Sequence, residues 1–289
     1  MPNNNQLMRT HSVPRSLTVL FTATPALALL IASGCASHQK AAAPQVARPV
    51  HWGYEGHEGP RHWGTLDPAY AACGKGTAQS PIDISKSGPG SRKPWRLDYK
   101  TTSLRIAHHE HVVDILDNGH TIQVTVDEGS TLTTGRNTYQ LKQFHFHTPS
   151  EHTVNGKHFP MEMHFVHQSA DGNFAVVGAV FEEGPANANL APLIANFPKA
   201  KGDAAHFPDK KLDLQLHLPA STAAYSYIGS FTTPPCTENV EWIVLRIPVK
   251  ASRAQLEAFA VRLHHNNRPV QPVHDRKVGT GTIAGGFDR

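Results

Sequence analysis

The sequence has 289 residues, of which 39% are hydrophobic and 17% charged, with 27 lysines and arginines against 23 aspartates and glutamates. This composition excludes a disordered chain, and a formal net charge of +4 is too small to indicate a nucleic-acid-binding surface. The only long apolar stretch, residues 17–34, lies near the N-terminus. The 20 histidines are unusual because they nearly match the 23 acidic residues in number. Histidine is also the commonest metal ligand among side chains.

The first 35 residues have the charged-then-apolar order of a secretory signal peptide. The apolar stretch ends in small residues followed by Cys35, which resembles a bacterial lipobox. We therefore expect residues 1–35 to be a signal peptide and Cys35 to be lipidated, with Ala36 favouring the outer membrane over the inner one. Cleavage by an ordinary signal peptidase is the alternative, and it predicts a soluble periplasmic or secreted protein. In the first case a lipid at the N-terminus is the only predicted contact with a membrane.

Residues 36–50 are small and polar and lack periodicity, which is typical of a linker. Residues 51–289 show no internal repeat and no shift in composition, so we expect one domain there. The two cysteines left after export, Cys73 and Cys236, favour a single disulfide, because paired cysteines are usually oxidised outside the cytoplasm. Two separate buried thiols are the alternative.

Short runs of alternating apolar and polar residues, separated by turn residues, predict a sheet-rich fold. The predicted strands are residues 103–106, 112–116, 121–126, 138–147, 161–168, 174–181, 224–228 and 240–247. Two short helices are also predicted. One begins with a capping box formed by Ser252 and Gln255, and the other contains an apolar stripe within residues 190–197.

One predicted strand carries His145 and His147 on the same face, since side chains alternate along a strand. The next strand carries His164, and a two-residue turn at 155–156 between the two strands would place His164 opposite His147. Three imidazoles on adjacent strands form a His₃ site with an open fourth position, which is the arrangement of catalytic zinc. The pattern predicts one Zn²⁺ per chain.

These residues lie in motifs that resemble those of α-class carbonic anhydrases of the exported bacterial type. The matching segments are 51–54, 79–84, 118–120, 143–147, 150–154, 162–167, 229–236 and 266–272. The resemblance implies a mainly β fold, with a large, twisted, mostly antiparallel central sheet and short peripheral helices. It also implies the reversible hydration of carbon dioxide to bicarbonate and a proton, with no nucleic-acid partner. We expect a monomer or a dimer.

The resemblance further implies individual roles. His120 matches the proton shuttle, and Thr232 matches a gatekeeper whose hydroxyl donates to Glu151, so that it can only accept a hydrogen bond from the attacking hydroxide. The substrate wall is implied to consist of Val166, Val176, Phe231, Thr232 and Thr233. The groups that hold the ligands or order water are implied to be Gln143, Glu162, Asn266, Tyr54 and Asn118. The two cysteines match the disulfide of the bacterial members.

Two departures from the family pattern occur. Phe231 stands where leucine is usual, and Gln123 stands where many members have asparagine. The bulk of Phe231 bears on catalytic efficiency and leaves the reaction type unchanged.

Two other functions compete with this interpretation. A catalytically inactive binding domain of the same fold would typically lack a zinc histidine, and all three are present. A zinc-storage protein would be expected to carry a long histidine-rich tract. The local clusters at 108–111 and 264–265 are too small to make one.

Overall fold

A computed structural model describes residues 50–90, 95–109, 120–199, 202, 204–218 and 223–284. The predicted signal peptide, Cys35, residues 36–49 of the predicted linker, the predicted strand 112–116 and Asn118 lie outside the described residues. Within the described ranges, no helix is long and apolar enough to span a bilayer.

The described residues form strands for the most part, with a few short helices. The strands are β1 (Asp83–Ile84), β2 (Gly88–Pro89), β3 (Trp95–Asp98), β4 (Thr101–His109), β5 (Thr121–Thr125), β6 (Thr131–Thr134), β7 (Asn137–His147), β8 (Thr153–Val154), β9 (Lys157–His158), β10 (Met161–Ser169), β11 (Phe174–Glu183), β12 (Ala204–Asp213), β13 (Ala223–Ser230), β14 (Glu238–Leu245), β15 (Val249–Ala251) and β16 (Gly279–Ala284). The α-helices are α1 (Trp63–Leu66), α2 (Ala72–Lys75), α3 (Ala191–Ile194) and α4 (Arg253–Leu263), and the 3₁₀ helices are Gly56–Glu58, Pro68–Tyr70 and Leu214–His217. The predicted mainly β fold is confirmed.

Most strands belong to one mixed sheet in the order β10-β11-β14-β13-β16-β3-β6-β7-β5-β4-β12, with β15 beside β11 and β2 beside β16. Most neighbours are antiparallel, but β11 runs parallel to β14 and β15, and β16 runs parallel to β2 and β3. Strand β7 pairs along one edge with β10 and along the other with β5 and β6. Strand β7 is therefore an interior strand of the sheet, with a neighbouring strand along each edge.

The alternation along β7 sends its aromatic residues to the main core. Phe144 and Phe146 are fully buried there, and the Phe146 ring centroid lies 4.5 Å from that of Phe259 on α4. His145 and His147 leave the strand on the opposite face, as the period of two predicts. The strand thus joins a packed core on one face to a polar site on the other.

The predicted capping box at the start of α4 is confirmed. Ser252 Oγ accepts from the Gln255 amide, and the Gln255 side chain accepts from the Ser252 amide. Helix α4 buries Leu256, Phe259 and Leu263 against the core. The other predicted helix is present only as the single turn α3, although Leu193 within it is fully buried.

The pairing of β7 with β10 corrects the predicted register. His164 lies opposite His145, and Glu162 lies opposite His147. The predicted turn at 155–156 exists, but it closes only the small β8–β9 hairpin, and connections of unequal length separate that hairpin from β7 and β10. The shift amounts to two residues, and a shift of two keeps every side chain on its own face. The three histidines therefore still share one side of the sheet.

Candidate metal centre and active site

Strands β7 and β10 bring three imidazoles together, and we refer to His145, His147 and His164 as the histidine triad. Their ring centroids lie 4.6 to 5.3 Å apart. One nitrogen from each ring lies within 4.8 Å of the other two. His147 and His164 are buried, whereas His145 is half-buried at the cleft.

Hydrogen-bond acceptors outside the triad fix the protons of its first two rings. His145 Nδ1 lies 2.8 Å from Gln143 Oε1, and His147 Nδ1 lies 2.7 Å from the backbone oxygen of Asn266. Each acceptor requires a proton on the facing nitrogen, so the lone pair of each ring lies on Nε2. Gln143 and Asn266, which the resemblance implies hold the ligands, therefore contact His145 and His147.

His164 is held through its other nitrogen. Its Nε2 lies 3.0 Å from Glu162 Oε1, in an ion-pair contact whose geometry falls short of a hydrogen bond. A carboxylate can only accept, so the proton belongs on Nε2 and the lone pair on Nδ1. This reversal of nitrogens relative to the other two rings turns the three lone pairs towards one another.

The triad matches what a zinc ion requires. Burial lowers the pKa of His147 to about 4 and also lowers the pKa of His164, so both rings are neutral at pH 7. His147 Nε2 is buried and has no hydrogen-bond partner among the described residues. Three imidazole nitrogens with one open side form the donor set of a catalytic zinc site.

Glu151 lies fully buried beside the triad. Its Oε1 accepts from the Arg268 amide at 2.8 Å, and its Oε2 lies 3.7 Å from His147 Nε2 and 3.9 Å from His164 Nδ1. Burial raises the pKa of Glu151 to about 7, while His164, the Arg268 amide and a hydrogen bond from the Thr232 hydroxyl act in the opposite direction. Thr232 therefore lies beside Glu151.

The loop that carries Thr232 and Thr233 follows β13 and is fixed at its far end. The Cys236 amide donates to the Thr233 carbonyl at 2.8 Å. Cys236 also forms the predicted disulfide with Cys73, which is confirmed. Cys73 and Cys236 are both buried, and their disulfide anchors the loop to the N-terminal part of the domain.

An apolar wall faces the triad across a cleft of about 470 Å³ including its open mouth. Val166 follows His164 by two residues on β10 and pairs with Val176 on β11. Phe231 lies beside them, and its ring centroid is 4.8 Å from that of Phe174 in an edge-to-face contact. The wall offers no charged group to a small apolar substrate.

His120 stands at the boundary between this cleft and an outer groove, and it lines both. Its Nε2 lies 3.3 Å from the Trp52 carbonyl, and its ring centroid lies 5.4 Å from that of Tyr54. Tyr54 also lines the cleft, and burial raises its pKa well above 10. The third predicted member of this region, Asn118, lies outside the described residues.

Comparison with known proteins decides the family. Residues 58–282 match the eukaryotic-type carbonic anhydrases. The chain belongs to this family. A carbonic anhydrase of Pectobacterium carotovorum is 43% identical over 228 residues, which are 78% of this chain and 89% of that protein. One from Neisseria gonorrhoeae is 39% identical over 79% of this chain and 87% of its own length.

Solved carbonic anhydrase structures agree with the fold. The α-carbonic anhydrase of Thermovibrio ammonificans, in complex with the inhibitor sulfanilamide, superposes with a TM-score of 0.74 and 40% identity. The match covers 82% of this chain and 100% of that one. The family reaction is the hydration of carbon dioxide, so carbon dioxide and bicarbonate are the substrates of this enzyme.

Some residues of this carbonic anhydrase cleft escaped the sequence analysis. Thr121 and Trp242 line the cleft without having been predicted, and Gln123 was noted only as a departure from the family pattern. Gln123 lies opposite His145 in the β5–β7 pairing. The alternation of side chains along β5 could have shown that Thr121 and Gln123 share one face. It could not have shown that β5 lies beside β7.

Proposed function

We propose that this carbonic anhydrase is zinc-dependent, with one Zn²⁺ held by His145, His147 and His164. The observation that carries the proposal is the convergence of three imidazoles beside an apolar wall, with one nitrogen of each ring within 4.8 Å of the other two. A bound zinc supplies the acidification of a coordinated water, which provides a nucleophile at neutral pH. The protein's own residues orient that nucleophile, receive carbon dioxide and remove the proton.

Thr232 and Glu151 orient the nucleophile. A cation among the imidazoles favours the ionised form of Glu151, because opposite charges in a buried site stabilise each other. An ionised Glu151 accepts the Thr232 proton, so the Thr232 oxygen can only accept a hydrogen bond from the nucleophile. The remaining lone pairs of the nucleophile are then directed at the substrate.

Val166, Val176 and Phe231 receive carbon dioxide. All three are buried apolar side chains of one cluster, and they stand across the cleft from the triad. An apolar wall suits a neutral, nonpolar substrate and does not hold the bicarbonate anion, which favours release of the product. Thr233 lies beside Thr232 in the same cleft.

His120 carries the proton outwards. An imidazole with an ordinary pKa of about 6.5 can accept and release a proton near neutral pH. Its place between the cleft and the outer groove lets it exchange protons with both. Tyr54 contributes a hydroxyl that stays protonated beside this path, because burial keeps its pKa high.

Stopped-flow hydration of carbon dioxide tests the proposal. The purified enzyme should hydrate carbon dioxide, lose activity on removal of metal by a chelator and regain it with zinc. Elemental analysis should find one zinc per chain, whereas several would indicate storage. Hydration that is indifferent to chelation, or its absence in the zinc-loaded protein, would contradict the proposal.

We also infer that the protein is exported and lipidated at Cys35. The confirmed disulfide supports an oxidising compartment. Mass spectrometry of the N-terminal peptide tests the lipid, since an unmodified N-terminus within residues 32–40 would indicate ordinary cleavage.

A further inference from the structure

Behind the triad, a row of buried polar side chains runs from Glu162 through His152 and Tyr227 to Ser80. His152 Nδ1 lies 2.7 Å from Glu162 Oε1, His152 Nε2 lies 2.7 Å from the Tyr227 hydroxyl, and that hydroxyl lies 2.8 Å from Ser80 Oγ. All four side chains are buried. His152, Tyr227 and Ser80 do not line the cleft, so none of them touches the substrate.

The Glu162 carboxylate is surrounded by hydrogen-bond donors. Its Oε2 accepts from the amides of Glu151 and His152, each at 2.9 Å, while its Oε1 faces His152 Nδ1 and His164 Nε2. An ionised carboxylate only accepts, so both facing ring nitrogens carry protons. His152, Glu162 and His164 are close enough to suggest a second metal site. The facing atoms are already used by these contacts, and we assign no metal there.

Tyr227 contacts the other ring nitrogen of His152. His152 donates from Nδ1 to Glu162, and its Nε2 lies 2.7 Å from the Tyr227 hydroxyl, so the ring is held at both nitrogens. Ser80 Oγ accepts from the Tyr227 hydroxyl at 2.8 Å and from the Ser230 amide at 3.0 Å. Ser80 therefore fixes the Tyr227 hydroxyl, and that hydroxyl fixes the far side of the His152 ring.

We propose that Tyr227 and His152 are positioning residues for the metal centre. Tyr227 holds the His152 ring in place, His152 donates to the Glu162 carboxylate, and Glu162 keeps the lone pair of His164 directed into the triad. The inference rests on the proposed zinc site. Loss of a group that holds a metal ligand commonly weakens metal binding by about 10–100-fold. Because Tyr227 acts through two intermediates, we expect the low end, about tenfold.

The test compares two tyrosines on one strand. Tyr227→Phe removes only the hydroxyl of the row, and Tyr225→Phe removes a hydroxyl two residues earlier on β13, outside the row. Zinc dissociation into an excess of chelator is measured for both variants and for the wild type. Tyr227→Phe should release zinc about tenfold faster than the other two proteins.

Variants of His152 test the next link. The amide nitrogen of His152→Asn can replace Nδ1 as the donor to Glu162, whereas His152→Ala has no donor. We expect the asparagine variant to keep zinc longer than the alanine variant. Thermal unfolding of the zinc-free proteins measures any general loss of stability separately.

The outcomes distinguish this inference from the proposed function. If Tyr227→Phe lowers only the unfolding temperature and releases zinc at the wild-type rate, the inference is overturned. Equal zinc release by His152→Asn and His152→Ala overturns the His152 link. A wild-type protein that binds no zinc would overturn the proposed function, and this inference with it.

Discussion

His147 shows how a single residue is prepared for metal binding. Its Nδ1 is hydrogen-bonded to the Asn266 carbonyl, and its buried Nε2 has no such partner in the described part of the chain. A buried nitrogen without a partner is costly, since burial of an unsatisfied polar group costs about 1–3 kcal/mol. A metal ion at this position would relieve that cost, so the residue favours the metal-bound state.

We therefore expect His147→Ala to lose zinc and hydration together, because two imidazoles are a poor donor set for tetrahedral zinc. Elemental analysis should give well under one zinc per chain, and stopped-flow hydration should fall towards the uncatalysed rate. A variant that keeps a full complement of zinc and its activity would exclude His147 as a ligand.

His120 gives a different expectation, because it is not one of the proposed metal ligands. His120→Ala should keep its zinc and its kcat/KM, while kcat falls about tenfold, the lower part of what general acid–base groups contribute. Added imidazole buffer should raise kcat of the variant by carrying protons in place of the lost side chain. A parallel fall in kcat and kcat/KM without buffer rescue would assign His120 to substrate binding or folding.

At the scale of elements, the sequence predicted faces better than neighbours. The period of two placed the triad on one face of β7 and β10, and this survived a register error because the error was an even number of residues. The turn at 155–156 was predicted correctly, but the length of the connections on either side was not. Thr121 and Trp242 escaped because the pairings of β5 with β7 and of β14 with β11 could not be derived from the sequence.

The 155–156 turn offers a clean test of backbone conformation. Gly156 has φ 75°, and a Cβ added there would meet no atom within 4 Å. Gly156→Ala should therefore lower the free energy of unfolding by about 1 kcal/mol, purely because an L-residue is strained in the left-handed region.

Gly88→Ala is the matched control, since Gly88 is equally uncrowded and has no positive φ. Chemical denaturation should find it unchanged or slightly more stable than the wild type. Equal effects of the two substitutions would show that conformational strain does not explain the result.

At the scale of the whole molecule, a disulfide joins two segments that are far apart in the sequence of the domain. Cys73 in α2 and Cys236 after β13 are 163 residues apart in sequence. The two cysteines left after the expected export predicted this pair. The structure adds that the Arg268 guanidinium donates to the Cys73 carbonyl and that the Arg268 backbone amide donates to Glu151. Arg268, which is buried, therefore connects the disulfide to Glu151, the proposed partner of Thr232.

Cys73→Ser should lower the thermal unfolding temperature markedly while leaving the hydration rate at 25 °C near that of the wild type. A loop of this length is worth up to about 5 kcal/mol in the chain-entropy description of disulfides. The double variant Cys73→Ser/Cys236→Ser controls for the free thiol. An unfolding temperature equal to that of the wild type would contradict the stabilising role.

Acid should destabilise the fold through His217, which is buried and is not one of the proposed metal ligands. Burial lowers the pKa of His217 to about 4, although its bond to the Asp213 carbonyl opposes this, and its Nε2 has no hydrogen-bond partner in the described ranges. In the unfolded chain His217 takes up a proton near pH 6.5. The stability that is lost when His217 is protonated only in the unfolded chain is therefore complete above that pH. It declines as the pH falls from about 6.5 to about 4.

At pH 5 the loss from this one side chain is about 2 kcal/mol, at 1.36 kcal/mol per pH unit. His217→Leu cannot take up a proton, so the difference in its unfolding free energy between pH 7 and pH 5 should be about 2 kcal/mol smaller than in the wild type. Denaturation at both pH values measures this difference directly, whatever the substitution does to stability at pH 7. The exposed His62, changed to glutamine, serves as the control and should follow the wild type. If His217→Leu shows the full wild-type loss between pH 7 and pH 5, protonation of His217 on unfolding is not a source of the acid sensitivity.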